Sequence, residues 1–191
     1  LEKQLKFLIE VDKMKTILRR TMLVDETRRE NDAEHSWHFA LMAMVLFEYA
    51  GEQVNQERVL KMALVHDLVE VYAGDTFAYD TKGYEDKDAR EKASADKLFA
   101  ILPTDQGTEI RGLWEEFDAM ETPDAQYASA IDRLQPFINN IMTGGYTWKL
   151  NDVKSEQVYR RMDAVRIAMP EVWPAVDRMI QDSIRKGWLK S

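Results

Sequence analysis

The sequence contains no cysteine. This absence excludes disulfide bonds, thiolate zinc sites and cysteine nucleophiles, and it is compatible with a reducing compartment. The sequence also lacks an apolar run near the roughly 18 residues of a membrane-spanning helix, and no signal-peptide pattern stands at its start. We therefore expect a cytoplasmic protein with no membrane partner. Because the first residue is Leu1 rather than Met, we also expect the native N-terminus to lie upstream.

Basic residues are in the minority, with 26 Lys and Arg against 34 Asp and Glu and a net charge of −8. An acidic surface repels phosphate groups, so duplex nucleic acid and anionic membranes are poor non-specific partners. The chain has 191 residues, of which 45% are hydrophobic, and this is enough for one sizeable core. We expect a single domain over residues 1–191.

Glycine and proline are few, at eight and five residues, and strict alternation of apolar and polar residues is hard to find. This pattern predicts an all-α fold, a helical bundle with additional C-terminal helices over about 152–186. A polar stretch at 19–32 and an irregular loop near 75–84 are expected between helices. The expected helices cover about residues 2–17, 34–49, 56–72, 85–101, 106–118, 124–143, 152–168 and 172–186.

The three histidines, His35, His38 and His66, all lie in one third of the chain. The helices that carry His35 and His66 are predicted to form an antiparallel hairpin, and a rise of about 1.5 Å per residue returns His66 to the level of His35. Asp67 follows His66 directly, and Glu70 stacks over His66 at the i, i+4 spacing. Such a mixture of nitrogen and oxygen donors suits a divalent cation: Mn²⁺, Co²⁺, Fe²⁺, Ni²⁺, Zn²⁺ or, more weakly, Mg²⁺.

A further carboxylate, Asp132, interrupts the apolar helix "SAIDRLQPFINNI" at 129–141. Taken singly, these residues have ordinary explanations: a buried histidine hydrogen-bonded in the core, or Asp132 paired with Arg133. Their combination on three apolar helices favours a metal site, and a bound metal can activate water and polarise a phosphoryl oxygen. A ferritin-like centre would need further Glu-x-x-His repeats, and no histidine follows His66.

Three stretches resemble one known family: "RRENDAEHSWH" at 28–38, "LVHDLVEVYAGD" at 64–75 and "SAIDRL" at 129–134. Their order H…HD…D is similar to that of the HD-domain metal-dependent phosphohydrolases, and together they resemble the 5′-deoxynucleotidase branch. The resemblance covers a core over roughly residues 5–145. It implies an all-α HD domain, hydrolysis of nucleoside 5′-monophosphates with deoxyribose preferred in bacterial members, a divalent cation (often Mn²⁺ or Co²⁺) and a homodimer.

The resemblance also implies roles for individual residues. Glu70 would activate or position the attacking water, Asp75 would orient the substrate or help to hold a second cation, and Arg20 would lie near the sugar and phosphate. Thr21 stands where the bacterial enzyme has a tryptophan, so we expect different packing around the sugar. The implied metal ligands are His35, His66, Asp67 and Asp132.

Several readings stay open at this point. Arg19, Arg20, Arg28 and Arg29 form a basic patch that suits phosphate, or they pair with neighbouring carboxylates on the surface. The loop at 76–84 is either a lid over the substrate or a plain connection. His38 lies behind the ligands or on the helix surface, or it is itself a ligand, and the first two positions are favoured. The alternative functions are a metal-stabilised interaction module with a vestigial site, a phosphodiesterase and a nucleotide triphosphohydrolase.

Overall fold

The computed structural model describes residues 1–190, and within them the fold is all-α apart from one small hairpin of two strands, β1 (Leu18–Met22) and β2 (Arg29–Asn31). The expected all-α class is confirmed. Short 3₁₀ turns occupy Asp12–Thr16 and Phe47–Tyr49. The helices are α1 (Glu2–Val11), α2 (Asp32–Val45), α3 (Gln56–Val65), α4 (Glu70–Ala73), α5 (Lys87–Phe99), α6 (Thr104–Ala119), α7 (Pro123–Met142), α8 (Tyr146–Leu150), α9 (Ser155–Ala168) and α10 (Trp173–Arg185).

Helix α2 begins earlier than expected because Asn31 caps it. The Asn31 side chain accepts a hydrogen bond from the Glu34 backbone N–H at 3.0 Å, and the Glu34 carboxylate accepts one from the Asn31 N–H at 3.2 Å. This reciprocal capping box satisfies two backbone donors at the helix start. Helix α2 therefore starts at Asp32 rather than near residue 34, and Asp32 lies in its first turn.

The prediction of a single helix over 56–72 is wrong, because hydrogen bonds between residues three apart replace the α-helical pattern after Val65. His66 is the last residue bonded in the α-helical pattern of α3, and the next bonds run from Leu68 to Val65 and from Glu70 to Asp67. These closer bonds form a turn before α4 begins at Glu70. The His66–Asp67 pair thus lies in a helix-to-helix turn rather than in mid-helix.

The polar stretch at 19–32 forms a β-hairpin that the sequence analysis did not predict. Strands β1 and β2 pair antiparallel, with Leu18 opposite Asn31 and Met22 opposite Arg29 and an irregular register between them. Side chains alternate across a strand, so Arg19 and Thr21 lie on its more buried side, while Arg20 is exposed. This alternation decides which arginine enters the site.

Helix α7 runs through the centre of the fold. It packs against α2, α3, α6 and α9, and α10 packs against α9, so the C-terminal helices extend the same bundle. Its Tyr127, Ile131 and Leu134 are buried in one continuous core with residues of the other helices. Among residues 1–190, no helix has the length and apolar character that a membrane crossing requires.

Candidate metal centre

The four residues expected to bind metal converge at one point. The shortest approaches are 2.9 Å between His35 Nε2 and Asp132 Oδ1, and 3.0 Å between His66 Nε2 and Asp67 Oδ2. Crosswise, His66 Nε2 lies 3.7 Å from Asp132 Oδ1, and His35 Nε2 lies 3.9 Å from Asp67 Oδ2. Two imidazoles and two carboxylates from α2, the α3–α4 turn and α7 therefore lie together, and the donor atoms of His35, His66 and Asp132 are all within 4.8 Å of one another.

Both imidazole rings are held so that Nε2 faces this space. Nδ1 of His35 lies 2.9 Å from the Oε1 of Gln135, and Nδ1 of His66 lies 3.0 Å from the Ala63 carbonyl oxygen. Both partners are acceptors, so each Nδ1 carries a proton, and each Nε2 would present its lone pair to a bound cation. Among the described residues, the buried Nε2 of His66 finds no hydrogen bond of acceptable geometry. The donor set thus fits a divalent cation.

The two carboxylates at this point are held ionised. Burial raises the pKa of Asp67, but the charges of His66 and Arg19 outweigh it and leave the pKa well below its usual value. Burial also raises the pKa of Asp132, and the hydrogen bond and charge of His35, with the charge of His66, again bring the net pKa down. Ionised carboxylates are the form that binds a metal.

A second carboxylate group adjoins the first and includes a residue that the sequence analysis missed. Oxygen atoms of Asp32, Glu70 and Asp75 lie within 4.8 Å of one another. In the described part of the chain, Oδ2 of Asp32 and Oε2 of Glu70 are buried without hydrogen-bond partners. Burial, followed by the charge of Asp67, raises the pKa of Asp32 to about 7 and that of Glu70 well above its usual value. Asp32 was missed because α2 was expected to start after it.

Arg19 supplies the positive charge between these two groups. Its Nη1 lies 2.6 Å from Asp67 Oδ2, 3.4 Å from Asp32 Oδ1 and 3.9 Å from Asp75 Oδ1. Arg20, the arginine chosen from the sequence, is exposed and lines a small neighbouring cavity of about 60 Å³ together with Asp75. The structure therefore brings Glu70 and Asp75 together with the expected ligands and places Arg19, rather than Arg20, among them.

The sequence left open whether the arginines of the basic patch bind phosphate or pair with surface carboxylates, and Arg28 and Arg19 differ in this respect. Arg28 forms an exposed ion pair with Glu34, with Nη1 and Oε2 2.9 Å apart. Arg19 pairs with carboxylates of the buried cluster instead. Surface pairing therefore describes Arg28, while Arg19 belongs to the site.

Known proteins share this fold. The sequence profile of the family described as HD domain matches residues 11–173. The chain belongs to the HD-domain family. A crystal structure of a predicted metal-dependent phosphohydrolase from Magnetospirillum magnetotacticum MS-1 aligns with a TM-score of 0.96 and 45% identity, covering 100% of this chain and 96% of that one. The expected family is confirmed, and membership implies a divalent metal.

Curated relatives of this HD domain carry a more specific name. The 5′-deoxynucleotidase HDDC2 proteins of Xenopus laevis and Homo sapiens are each 30% identical over 132 residues, which is 69% of this chain. The chain covers 64% and 63% of their respective lengths, slightly less than two thirds. A 5′-deoxynucleotidase of Citrobacter koseri is 25% identical over 197 residues, covering 95% of this chain and 98% of the relative.

Behind the His35 ring of the HD domain, Gln135 connects three buried or half-buried groups. Its Oε1 faces His35 Nδ1, while its Nε2 donates to Glu30 Oε1 at 2.7 Å and lies 3.1 Å from His38 Nδ1. His38 therefore lies behind a candidate ligand, as one of the readings proposed. Gln135 was missed, although its i, i+3 spacing from Asp132 places both on one face of α7.

The loop at 76–84 borders the site and is tied at both ends to α5. Arg90 donates from Nη1 to the Ala73 carbonyl at 2.7 Å, and from Nη2 to Thr76 Oγ1 at 3.1 Å and to the Gly83 carbonyl at 3.0 Å. Within the loop, the Phe77 and Tyr79 rings pack edge to face, with centroids 5.4 Å apart. The loop is thus an organised wall of the site in this structure.

Proposed function

We propose that this HD domain is a divalent-metal-dependent phosphomonoesterase that hydrolyses nucleoside 5′-monophosphates to nucleoside and phosphate. The observation that carries the proposal is the convergence of two Nε2 atoms and two ionised carboxylates beside a polar cavity of about 230 Å³. The names of the curated relatives support the reaction class and the nucleotide substrate.

The ligands of the cation in this proposal are His35, His66, Asp67 and Asp132. When bound, a divalent cation supplies Lewis-acid polarisation of a phosphoryl oxygen and lowers the pKa of a water molecule. Mn²⁺ and Co²⁺ are our first choices because the resemblance to the family implies them, and mixed imidazole and carboxylate donors are compatible with both. The fixed tautomers of the two histidines orient the donors before the substrate arrives.

The neighbouring residues handle protons and position the substrate. We assign to Glu70 the activation and positioning of the attacking water, because its buried Oε2 has no hydrogen-bond partner among residues 1–190 and lies next to the ligand cluster. Asp75 would orient the substrate, since it lies between the carboxylate cluster and the small cavity that Arg20 lines. Arg20 would contact the sugar or the phosphate from the rim.

The decisive experiment is phosphate release from a panel of ribo- and deoxyribonucleoside 5′-monophosphates by protein loaded with Mn²⁺, Co²⁺ or Mg²⁺. We expect release with at least one cation and its loss on chelation. No release from any monophosphate would overturn the proposal. Adding nucleoside triphosphates and a phosphodiester to the panel tests the other phosphohydrolase reactions, and a rise in Tm with metal but without turnover would favour the interaction module.

We also propose that the protein acts in the cytoplasm as a homodimer. The absence of cysteine supports a reducing compartment. An apolar stripe on the exposed side of α2, formed by Trp37, Leu41, Met44 and Val45, supports self-association, with Trp37 65% exposed. A stripe on a single helix can pack against its own copy about a two-fold axis.

A further inference from the structure

Two arginines on neighbouring helices flank the candidate metal centre. Arg133 follows Asp132 on α7, and Arg161 comes from α9, with its Nη2 4.0 Å from Asp132 Oδ2. Both side chains are half-buried and line the cavity that contains His66 and Asp67. They also line the two adjoining cavities, one of about 60 Å³ and one of about 400 Å³.

The charges of this arginine pair are poorly neutralised. Across residues 1–190, the Arg161–Asp132 contact is the one approach of a carboxylate to within 4.0 Å of either guanidinium. Arg133 instead donates to the Arg161 carbonyl at 3.4 Å and to the Met120 sulfur at 3.0 Å. Half-buried like charges are costly unless an anion joins them.

Other arginines near the pair, by contrast, are paired with carboxylates. On the same helix α9, exposed Arg160 pairs with Glu156 at 2.9 Å, and exposed Arg166 pairs with Asp163 at 2.6 Å. Arg19, the third guanidinium in the cavity, already faces three carboxylates. Of the arginines that line the cavity, Arg133 and Arg161 therefore have the most capacity left for a ligand.

We propose that Arg133 and Arg161 form an anion subsite that binds the phosphoryl oxygens of the phosphate group being hydrolysed. Planar guanidinium groups match the oxygens of a phosphate in two-point contacts. Because Arg161 approaches Asp132, an anion held by Arg161 lies directly beside the candidate metal ligands. That position suits the reacting phosphoryl group rather than a more distant one, and it counters the charge on that group. The inference rests on the proposed function for its substrate, a phosphate monoester.

The test is calorimetric binding of inorganic phosphate to the full chain loaded with Mn²⁺, which needs no turnover. The variants are Arg133→Gln, Arg161→Gln and Arg161→Lys, and Arg166→Gln is a control with the same charge change on an exposed part of α9. We expect each glutamine variant to raise the Kd for phosphate by about 10- to 100-fold, the range for a charged hydrogen bond. Arg161→Lys should lie between wild type and Arg161→Gln, because the charge stays while the fork is lost.

Several results would overturn the subsite: no phosphate binding by wild type, wild-type Kd in the Arg133 and Arg161 variants, or an equal loss in Arg166→Gln. Pyrophosphate is titrated in the same way. A loss of binding confined to pyrophosphate, with phosphate binding unchanged, would place the pair at a second phosphate and would also overturn the subsite. Thermal melts identify any glutamine variant that fails to fold, and the Arg161→Lys comparison then decides.

The outcome separates this inference from the proposed function. Arginine-dependent phosphate binding without hydrolysis of any nucleotide would support the subsite while the proposed function fails. Hydrolysis with unchanged KM and unchanged phosphate Kd in the arginine variants would overturn the subsite alone.

Discussion

Asp67 and Glu70 are three residues apart, yet their surroundings drive their carboxyl groups in opposite directions. Burial raises the pKa of both, but the charges of His66 and Arg19 bring the pKa of Asp67 far down, whereas the charge of Asp67 pushes the pKa of Glu70 further up. Groups of one type held at different pKa values in one site commonly divide the chemical roles between them. The geometry favours a ligand role for Asp67 and a water-positioning role for Glu70.

This division predicts different consequences for two alanine variants. Asp67→Ala removes an ionised donor beside His66, so bound metal per chain and turnover should fall together. Glu70→Ala should leave most of the metal in place while kcat drops by about 10²- to 10⁴-fold, the range for loss of a general acid or base. Metal analysis and steady-state kinetics on both variants make the comparison.

The exposed Glu57 of α3 offers a control, since Glu57→Ala should change neither metal content nor kcat. If Glu70→Ala loses as much metal as Asp67→Ala, Glu70 is itself a ligand and the division of roles is wrong.

Glu30 predicts a pH dependence of the stability of the metal-free protein. Burial raises the pKa of this carboxyl from 4.5 to about 7, so the folded state keeps a proton that the unfolded state has released. The contribution of Glu30 to stability is complete below about pH 4.5 and is lost as the pH rises through about 7. The side chain of Glu30→Gln cannot ionise. Its free energy of unfolding relative to wild type should therefore increase as the pH rises from about 5 to about 8, by at most about 3 kcal/mol.

Urea unfolding of wild type and Glu30→Gln at about pH 5 and about pH 8 measures this difference in stability. The glutamine keeps an oxygen that can accept from Gln135, so the hydrogen bond at this position is retained. Glu52→Gln, at an exposed position, is the control and should show no such pH-dependent gain. An equal effect of Glu30→Gln at both pH values would contradict the prediction.

At the scale of elements, the turn between α3 and α4 and the loop at 76–84 build most of one side of the site. The turn places His66 and Asp67 in the ligand cluster. Gly74, with φ of +77°, allows the chain to leave α4 towards Asp75. The loop that follows has little regular structure, and three hydrogen bonds from Arg90 join its ends. One side chain of α5 therefore holds both ends of this wall.

We predict that Arg90→Ala loosens the loop. Three acceptors would lose their donor, so amide hydrogen exchange across 76–84 should become faster and KM for the nucleotide should rise, because the loop borders the cavity. Exchange in α2 and α7 should stay as in wild type. The control is Lys92→Ala on the exposed side of the same helix. Unchanged exchange across 76–84 in Arg90→Ala would show that the loop is ordered without this contact.

At the scale of the whole molecule, the exposed stripe on α2 lies on the outer side of the helix whose buried side carries His35. A second copy that covers the stripe would stabilise α2 and, through it, the position of His35. Most exposed apolar residues of a protein are scattered singly, whereas contiguous apolar surface is typical of interfaces.

If the proposed homodimer forms through this stripe, a charge placed in the stripe reduces self-association. Leu41→Glu and Met44→Glu should shift the mass in solution, measured by light scattering during size exclusion, from dimer towards monomer, because a buried unpaired carboxylate is costly. Leu150→Glu, at an exposed leucine on α8, is the control and should keep the wild-type mass. A monomeric wild-type protein, or dimeric stripe variants, would contradict the prediction.

The amino-acid sequence by itself determined the helical class, the approximate position of most helices and the set of candidate ligands. These features are local: apolar spacing decides where a helix forms, and the H…HD…D order places donors on helices that must pack through their apolar faces. His35, His66, Asp67 and Asp132 could be named together as ligands because their order resembles that of the HD-domain family. Glu70 followed from its i, i+4 spacing to His66, and Asp75 from the resemblance to the family's motif.

Only the tertiary structure decided the residues whose positions depend on chain direction and long-range contacts. The hairpin turned Arg19 inward and Arg20 outward, since adjacent residues of a strand face opposite sides. The capping box of α2 placed Asp32 in the carboxylate cluster. Arg161 reaches Asp132 because α9 packs against α7. No local pattern contains this contact, because the two residues meet only when helices distant in sequence come together in the fold.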